Sequence, residues 1–326
     1  LQGKPTIILN DDFGSLAILL RKQISQWYSD SKVSHLALHY NWTQNVGGQK
    51  EFPCLNSLDA IKTNAELAII KLPKNNQLLT EQLIKLRHTL PDGALVITSG
   101  KANQIQKSTL ALFEKHLGTT HTSLAIKKAR LIFTQVNKKL ATASKFPISW
   151  QCEESKLVVH NHCNVFSANQ LDIGARVLIH HLPDCENRTV IDLGCGNGVL
   201  ATHVMAASMK EKRSNGGFPK KIICVDESYM AVRSAQLTLE ANFPASETML
   251  EYIHSNCLEQ TEVKDADIVL CNPPFHQQNT ITDHIAWQMF NDAKQALRTG
   301  GELRIGGNRH LGYHEKLKRI FGGYKQ

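Results

Sequence analysis

Two apolar patterns alternate along the second half of the chain. Short apolar runs of the kind found in buried strands are separated by stretches whose apolar positions recur with a helical period. The predicted strands are TVIDLG (189–194), KIICVDES (221–228), LEYIHS, DADIVLCN and GELRIGGN. The predicted helices are GVLATHVMAASMK, YMAVRSAQLTLEAN and HIAWQMFNDAKQALRTGG, and we expect the last to end at Gly300. This alternation predicts an α/β fold, a parallel sheet with helices on both faces.

The first half repeats this scheme more faintly. Three segments of the first half resemble segments of the second half in the same order. TIILNDDFGSLAILL (6–20) resembles TVIDLGCGNGVLATHV, and AELAIIKLPK (65–74) resembles ADIVLCNPPF. EQLIKLRHTLPDGALVITSGK resembles the segment ending ALRTGGELRIGGNR. Three matches in one order predict a duplicated domain; chance similarity of two α/β domains is the alternative. Pro147 disfavours a helix through the junction, and WQCEESKLVVHNHCNVF after it predicts a short hairpin. We therefore predict domains at 1–148 and 149–326.

The composition places the chain among globular proteins. Of its 326 residues, 42% are hydrophobic and 20% are charged, and disorder would require fewer apolar and more charged residues. No apolar run approaches the roughly 18 residues of a membrane-spanning helix, and no signal segment is recognisable at the start. We expect a cytoplasmic protein without a membrane partner. The first residue is Leu1, and a sheet of this kind needs one more strand after LGYHEKLKRIFGG, so we expect both ends of the chain to be incomplete.

Charge divides the chain into two unlike halves. Residues 1–150 carry 19 Lys and Arg against 9 Asp and Glu, so the rest carries 37−19 = 18 against 29−9 = 20. The net charge of +8 is therefore +10 in the first half and −2 in the second. Such asymmetry favours an anionic partner for the first half, such as nucleic acid; a merely solubilising surface is the alternative.

The eight cysteines indicate reduced thiols. None forms a C-x-x-C pair, and several lie inside apolar runs, as in KIICVD and DIVLCN. This usage is typical of a reducing compartment rather than of a disulfide framework. His160, His162 and Cys163 form a short cluster, but no second ligand pair stands at zinc-finger spacing. We expect no metal.

The first motif with chemical content is DLGCGNG (192–198), between a predicted strand and a predicted helix. Its glycines allow a sharp turn and a close approach of the backbone to a ligand at the end of the strand. An acid precedes the glycines and no third glycine follows at dinucleotide spacing; this form is typical of S-adenosylmethionine sites, with a dinucleotide site as the alternative. Asp226 and Glu227, at the end of the next strand, are placed to accept the two ribose hydroxyls.

The second motif is Asn272-Pro273-Pro274-Phe275, at the end of the strand DIVLCN. Two prolines fix φ and remove two N–H donors, so the Asn side-chain oxygen and a proline carbonyl remain as acceptors. An exocyclic amine has its lone pair delocalised into the base, and two acceptors on its hydrogens would turn that lone pair out of the ring plane. Phe275 offers a face on which a base can stack. A simple N-P-P turn is the alternative.

At these residues the chain resembles the ribosomal RNA guanine-N2 methyltransferases. The motifs that carry the resemblance are DLGCGNG, VDES, NPPFHQ and NVFSANQLDIGAR, with ILNDDFG, IIKLPK and KKARLI in the first half. The resemblance is closest to enzymes that modify 23S rRNA, and those of the small subunit are similar. It implies two tandem Rossmann-like class I methyltransferase domains, the first degenerate. NPPF alone is shared with adenine-N6, cytosine-N4 and glutamine-N5 methyltransferases.

The resemblance also implies roles for individual residues. Asn256, after LEYIHS, matches the position that contacts the adenine of the cofactor; a turn residue is the alternative. Phe166 and Asp172 precede the first strand and flank the cofactor. The catalytic residues expected are Asn272, Pro273, Pro274 and Phe275. The residues expected to bind S-adenosylmethionine are Asp192, Gly194, Gly196, Gly198, Asp226, Glu227, Asn256 and Phe166.

The first copy departs from this pattern. LNDDFG (9–14) retains one glycine where the second copy has three, and we expect Phe13 to fill the cofactor space. Lys71-Leu72-Pro73-Lys74 replaces NPPF, so cations stand where the acceptors were. Cations suit phosphate contacts. The residues expected to bind RNA are Lys71, Lys74, Lys127, Lys128 and Arg130.

The implied activity is direct transfer of the cofactor's methyl to guanine N2 of 23S rRNA by a monomer. The target base must leave its stack or pair, and no strong general base is expected. The alternatives are a 16S rRNA guanine, an adenine N6 or a protein glutamine. A non-catalytic RNA-binding assembly factor is the alternative from another class, and intact DLGCGNG and NPPF motifs argue against it.

Overall fold

The computed structural model describes residues 3–210, 217–274, 281–307 and 311–325. The chain divides into two compact units, Leu1–Phe146 and Pro147–Gln326. The division falls two residues before the predicted boundary, because Ile148 begins a strand of the second unit. No helix within the described ranges is long and apolar enough to cross a membrane.

The first unit is built on a seven-stranded sheet of order β3-β2-β1-β4-β5-β7-β6. Neighbours among the first five strands run parallel, and β7 runs antiparallel to β5 and β6. Its strands are β1 (Thr6–Leu9), β2 (Ile24–Ser29), β3 (Cys54–Asn56), β4 (Leu67–Lys71), β5 (Leu95–Lys101), β6 (Thr120–Thr122) and β7 (Ala129–Gln135). Its helices are α1 (Ser15–Leu19), α2 (Lys32–Asn45), α3 (Asn76–Thr89) and α4 (Lys107–His116).

Alternation along β1 builds a core on each face of this sheet. Successive strand side chains point to opposite faces. Ile7 and Leu9 are buried in the cluster that includes Leu79 and Leu83 of α3. Ile8, between them, is buried in the cluster that includes residues of α2. The central strand is therefore apolar at each of these positions, as expected where helices cover both faces.

The second unit has a five-stranded parallel sheet of order β12-β11-β10-β13-β14. A separate antiparallel pair, β8 and β9, precedes it. Its strands are β8 (Ile148–Gln151), β9 (Val158–Asn161), β10 (Thr189–Leu193), β11 (Lys221–Asp226), β12 (Leu250–His254), β13 (Ala266–Cys271) and β14 (Leu297–Ile305). Its helices are α5 (Ile173–His180), α6 (Val199–Lys210), α7 (Tyr229–Asn242), α8 (Ile281–Ala296) and α9 (Tyr313–Phe321).

The two sheets share one topology. The first five strands of the first unit and the five sheet strands of the second follow the same spatial order, third-second-first-fourth-fifth. Parallel strands joined by helices give the predicted α/β class, and the predicted hairpin is confirmed as β8–β9. One element was predicted wrongly: α8 ends at Ala296, not at Gly300. Leu297 already pairs with Ala266 as a residue of β14, and this pairing overrides the helical pattern.

A row of polar side chains on α7 covers the open edge of β9. Four helical residues rise about 6.0 Å and two strand residues about 6.6 Å, so side chains at four-residue spacing match every second strand amide. Three oxygens on α7 accept such hydrogen bonds: Ser234 from the His162 amide (2.9 Å), Thr238 from the His160 amide (3.0 Å) and Asn242 from the Val158 amide (3.0 Å). The hairpin is thereby tied to the domain through hydrogen bonds that periodicity does not reveal.

We expect Thr238→Val to destabilise the second unit. Thr238 is fully buried, and valine of similar shape leaves the His160 amide without its acceptor, a loss of about 1–3 kcal/mol in unfolding free energy. Chemical denaturation measures this loss, and hydrogen exchange should show faster exchange at His160. Thr80→Val is the matched control, because in the described part of the chain the Thr80 hydroxyl donates to Asn76 O within its own helix. Equal stability and unchanged exchange for Thr238→Val would contradict this role.

Candidate active site

Four polar residues predicted for the site lie at one edge of the second sheet. Asp192 is the penultimate residue of β10, Asp226 ends β11, and Asn256 and Asn272 follow β12 and β13. The four strands are parallel neighbours, so their carboxyl ends meet at the same edge. In open α/β sheets this edge is where ligands bind.

The loop after β10 has the backbone conformation that its glycines allow. Gly194, Gly196 and Gly198 all have positive φ, at 74°, 54° and 74°. A Cβ on Gly198 would lie 2.8 Å from the Ala235 Cα, so this glycine lets α6 pack closely on α7. A Cβ on Gly196 would meet no atom within 4 Å. The loop is therefore packed against α7 at Gly198 and has open space beside its backbone at Gly196.

Asp226 fastens this loop to the end of β11. Its Oδ2 accepts a hydrogen bond from the Gly196 amide (3.0 Å), and its Oδ1 accepts one from the Ser228 amide (3.0 Å). Both carboxylate oxygens thus already hold backbone at the site. Glu227 beside it is exposed. The ribose contacts of these two carboxylates stay a prediction.

Asp192 is a buried carboxyl beneath the loop. It is 1% exposed, and its Oδ2 accepts a hydrogen bond from the Ala201 amide in the first turn of α6 (3.1 Å). Burial raises the pKa of Asp192 to about 7, against the lowering effect of the Ala201 amide, and the nearby Asp226 raises the pKa further. Its Oδ1 has no hydrogen-bond partner among the described residues. Such a carboxyl is a typical feature of a functional site.

We expect the stability of the second unit to fall as pH rises from about 4 to about 7. In this range the folded Asp192, with its raised pKa, keeps a proton that the unfolded carboxyl has lost, so folding binds protons and weakens as they become scarce. Asp192→Asn should reduce this slope. Denaturation between pH 4 and pH 8 measures it, with the exposed Glu153→Gln as the control for a lost charge. Parallel wild-type and Asp192→Asn curves would refute the assignment.

The Asn272 amide is held in one orientation. Its Nδ2 donates to Asp172 Oδ2 (2.9 Å), and the same oxygen accepts a hydrogen bond from the Ala175 amide (3.1 Å) as the N-cap of α5. An amide whose nitrogen is so bound has its oxygen on the other side. That Asn272 Oδ1 is buried without a hydrogen-bond partner among the described residues. The site thus contains a fixed acceptor available to an N–H donor.

Gly306 completes the surroundings of this acceptor. Its amide donates to Cys271 O (3.0 Å), one residue before Asn272. A Cβ on Gly306 would lie 3.1 Å from Asn272 Oδ1 and 3.0 Å from Gly174 O. A glycine here leaves room for the amide oxygen. The sequence analysis did not identify Gly306 as a site residue. The pair Gly306-Gly307 directly after β14 could have indicated it.

The remaining predicted residues are less closely joined to the site. Pro273 is buried and Pro274 is exposed, while Phe275 lies outside the described residues. The side-chain amide of Asn256 donates to Glu259 Oε2 (2.8 Å) in the turn after β12. Phe166 is 63% exposed, between β9 and α5. The adenine contact of Asn256 and the flanking role of Phe166 stay predictions.

In the first unit the corresponding edge is closed by side chains. Asn10 and Gln82 exchange two hydrogen bonds (2.9 and 2.7 Å), and the Asn10 amide also donates to Lys71 O (3.0 Å). These bonds tie the end of β1 to α3 and β4. Phe13 was predicted to fill this space, which is wrong: its side chain is 64% exposed. The loop 10–14 is as long as the loop 194–198. Its backbone follows a different course, with positive φ at Asn10 and Gly14 but not at Asp12, where the second unit has Gly196. The hydrogen bonds between Asn10 and Gln82 lie at this edge instead.

The predicted RNA-binding cations differ in their availability. Lys71 forms an ion pair with Asp12, which reduces the positive charge it can offer to a phosphate. Lys74, Lys127 and Lys128 are exposed. Arg130 is partly buried, and its Nε has no hydrogen-bond partner among the described residues.

Two families match the chain. The family described as "Methyltransferase small domain" matches residues 156–326, and "RLMG N-terminal domain" matches residues 1–138. The first match contains β9 to α9 and every residue of the candidate site. The second match contains the whole seven-stranded sheet.

Curated relatives match over nearly the full chain. Ribosomal RNA large subunit methyltransferase G of Pseudoalteromonas atlantica is 48% identical, over 100% of this chain and 84% of the relative. The protein of the same name from Aeromonas hydrophila is 46% identical, over 97% and 82%. A solved structure, a T. thermophilus 16S rRNA N2 methyltransferase in complex with AdoMet and guanosine, has a TM-score of 0.79 at 21% identity over 98% of this chain and 84% of that one. This last likeness is one of fold.

Proposed function

This chain belongs to the ribosomal RNA large subunit methyltransferase G family, and from that premise we propose that it methylates the exocyclic N2 of a guanine in 23S rRNA. It is an S-adenosylmethionine-dependent methyltransferase with a class I fold. The acceptor atom and the choice of 23S rRNA are the parts proposed. So are its action as a monomer and its place in the cytoplasm, where ribosomal RNA is modified.

The observation that carries the proposal is the acceptor at Asn272. Its Oδ1 is buried without a partner among the described residues, and its Nδ2 is bound to Asp172. A buried polar atom without a hydrogen bond is costly, so such an atom in a site is a strong indication of a ligand that donates. The exocyclic amine of a nucleobase is such a donor. The carbonyl of Pro273, next in the chain, supplies a second acceptor of the kind required.

The residues of the neighbouring loop fit S-adenosylmethionine. The backbone at Gly196 has room in front of it, the Asp192 Oδ1 has no partner among the described residues, and Asp226 holds the loop from the adjacent strand. When bound, this cofactor supplies a methyl group on a sulfonium, which a neutral amine can attack. The predicted holders are Asp192, Gly194, Gly196, Gly198, Asp226, Glu227, Asn256 and Phe166.

The role of the chain in the chemistry is mainly orientation. Acceptors at Asn272 and Pro273 hold the two amine hydrogens and so direct the nitrogen lone pair out of the base plane. Holding the reactants in this way can supply effective molarities up to about 10⁵–10⁸ M. We propose that Phe275 stacks on the base, which would offset part of the cost of unstacking it, at roughly 1–3 kcal/mol per stacked base. No base catalyst is needed, because the amine loses its proton after it becomes cationic.

The first unit is proposed to bind the RNA. Its basic excess and its exposed Lys74, Lys127 and Lys128 suit phosphate contacts. The hydrogen bonds between Asn10 and Gln82 close the edge at which the second unit keeps its glycine loop. We propose that Lys71 and Arg130 take part in the same surface.

Asn272→Ala is the test of the proposed function. We expect kcat for methyl transfer to 23S rRNA to fall by roughly 10²–10³, the usual loss for one preorganised hydrogen bond at a reacting group, while the Kd for S-adenosylmethionine stays near the wild-type value. Asn291→Ala is the matched control, since among the described residues the Asn291 side-chain amide donates to Trp287 O within α8. Nucleoside analysis of the product should show N2-methylguanosine. Near-normal turnover of Asn272→Ala, or N6-methyladenosine as the product, would refute the proposal.

Asp172 is expected to act as a positioning residue for Asn272. Serine keeps the N-cap of α5 but is too short to hold the Asn272 amide, so Asp172→Ser should lower kcat by roughly tenfold, about 1.4 kcal/mol, with little change in KM or thermal stability. Asp172→Asn retains an acceptor for both hydrogen bonds and should restore most of the activity. Equal losses in the two variants would show that charge, and not orientation, is what matters.

A further inference from the structure

The loop between β6 and β7 of the first unit exposes two large apolar side chains. Leu124 is 86% exposed and Ile126 is 72% exposed. Every residue from Leu124 to Ala129 is exposed. A single exposed apolar residue is ordinary, but two at the tip of one protrusion form a small apolar surface.

The protrusion is an ordered hairpin. Ile126 and Ala129 exchange two backbone hydrogen bonds (2.8 and 2.9 Å). Ser123 is bonded twice to Leu131, through its amide to the Leu131 carbonyl (3.0 Å) and through its hydroxyl from the Leu131 amide (3.1 Å). The apolar tip is thus presented on a fixed framework.

The turn itself is of an unfavourable composition. Lys127 and Lys128 both have positive φ, at 48° and 64°, which is the conformation of a two-residue type I′ turn. This turn favours Asn-Gly, because most residues with a Cβ, Asn and Asp excepted, are strained at positive φ. Strain that is retained at an exposed tip is a typical sign of function. The two residues that bear the strain here are cations.

The stretch of sequence that contains the tip is almost free of negative charge. Between Gly93 and Phe146 the sequence has nine Lys and Arg residues and a single acidic residue, Glu114, a net of +8 that equals the charge of the whole chain. The hairpin also lies at the carboxyl edge of its sheet, because Lys101 at the end of β5 pairs with Ala129. The apolar tip therefore belongs to the most basic stretch of the chain and lies at the edge where folds of this kind bind ligands.

We propose that this hairpin is a wedge that packs Leu124 and Ile126 against exposed base faces of ribosomal RNA while Lys127 and Lys128 hold the flanking phosphates. This inference rests on the proposed function, which supplies ribosomal RNA as the partner. It goes beyond that function because it assigns contacts with the bases to apolar side chains. Apolar side chains placed between bases beside cationic phosphate contacts are an established way to hold unstacked nucleic acid.

The test compares apolar and cationic variants in the full chain. Leu124→Ala/Ile126→Ala should weaken binding of naked 23S rRNA by roughly tenfold, about 1.4 kcal/mol, with an unchanged salt slope. Lys127→Asn/Lys128→Gly should lower the slope of log K against log salt by roughly 0.7–0.9 for each phosphate that the variant no longer neutralises. It should also keep or raise the melting temperature, because Asn-Gly relieves the turn. Leu19→Ala is the matched control, since Leu19 is 73% exposed at the end of α1.

Two results would overturn the wedge. One is wild-type affinity and methylation of naked 23S rRNA by Leu124→Ala/Ile126→Ala. The other is an effect of this variant seen only with an assembled ribosomal subunit, which would indicate a protein partner. If instead the wild-type chain itself neither binds nor methylates 23S rRNA, the proposed function fails, and that outcome is separate from both.

Discussion

The parallel pairing of β10 with β11 on one side and β13 on the other is the constraint on which the site depends. It brings Asp192, Asp226 and Asn272 from distant parts of the sequence to one sheet edge. Once there, each is held by hydrogen bonds: Asp192 by the first turn of α6, Asp226 by the glycine loop, and Asn272 through the cap of α5. The strands and helices that form the sheet and its cover therefore also orient the side chains of the site.

The two units show how one sheet order can serve two purposes. In both, a buried aspartate accepts hydrogen bonds from amides of the following helix, Asp192 from Ala201 and Asp11 from Leu16 and Ala17. Burial raises the pKa of both carboxyls. The capping interaction is thus part of the fold. What differs is the intervening loop, which has open space at Gly196 in one unit and is bonded to α3 through Asn10 and Gln82 in the other.

Much of the fold could be predicted from local pattern. The helix over Tyr229–Asn242 and the strand over Thr189–Leu193 agree with their apolar periodicity, because each buries its apolar side chains in the expected way. The end of α8 could not be predicted, since Leu297 and the residues after it are held by pairing with β13 rather than by their own preference. The position of Phe13 was missed for a related reason: its exposure depends on the backbone conformation of the loop and not on residue type.

The sequence by itself determined the α/β class, the repeated order of elements, the glycine loop and the Asn-Pro-Pro turn, because these depend on periodicity and on backbone rules that act over a few residues. Only the tertiary structure decided which atoms of these motifs are free to act. Asp172 and Asn272 are 100 residues apart, and no local pattern shows that one carboxylate holds the amide so that its oxygen stays available. The same holds for Lys71, whose charge is paired with Asp12 only after β1 and β4 have come together.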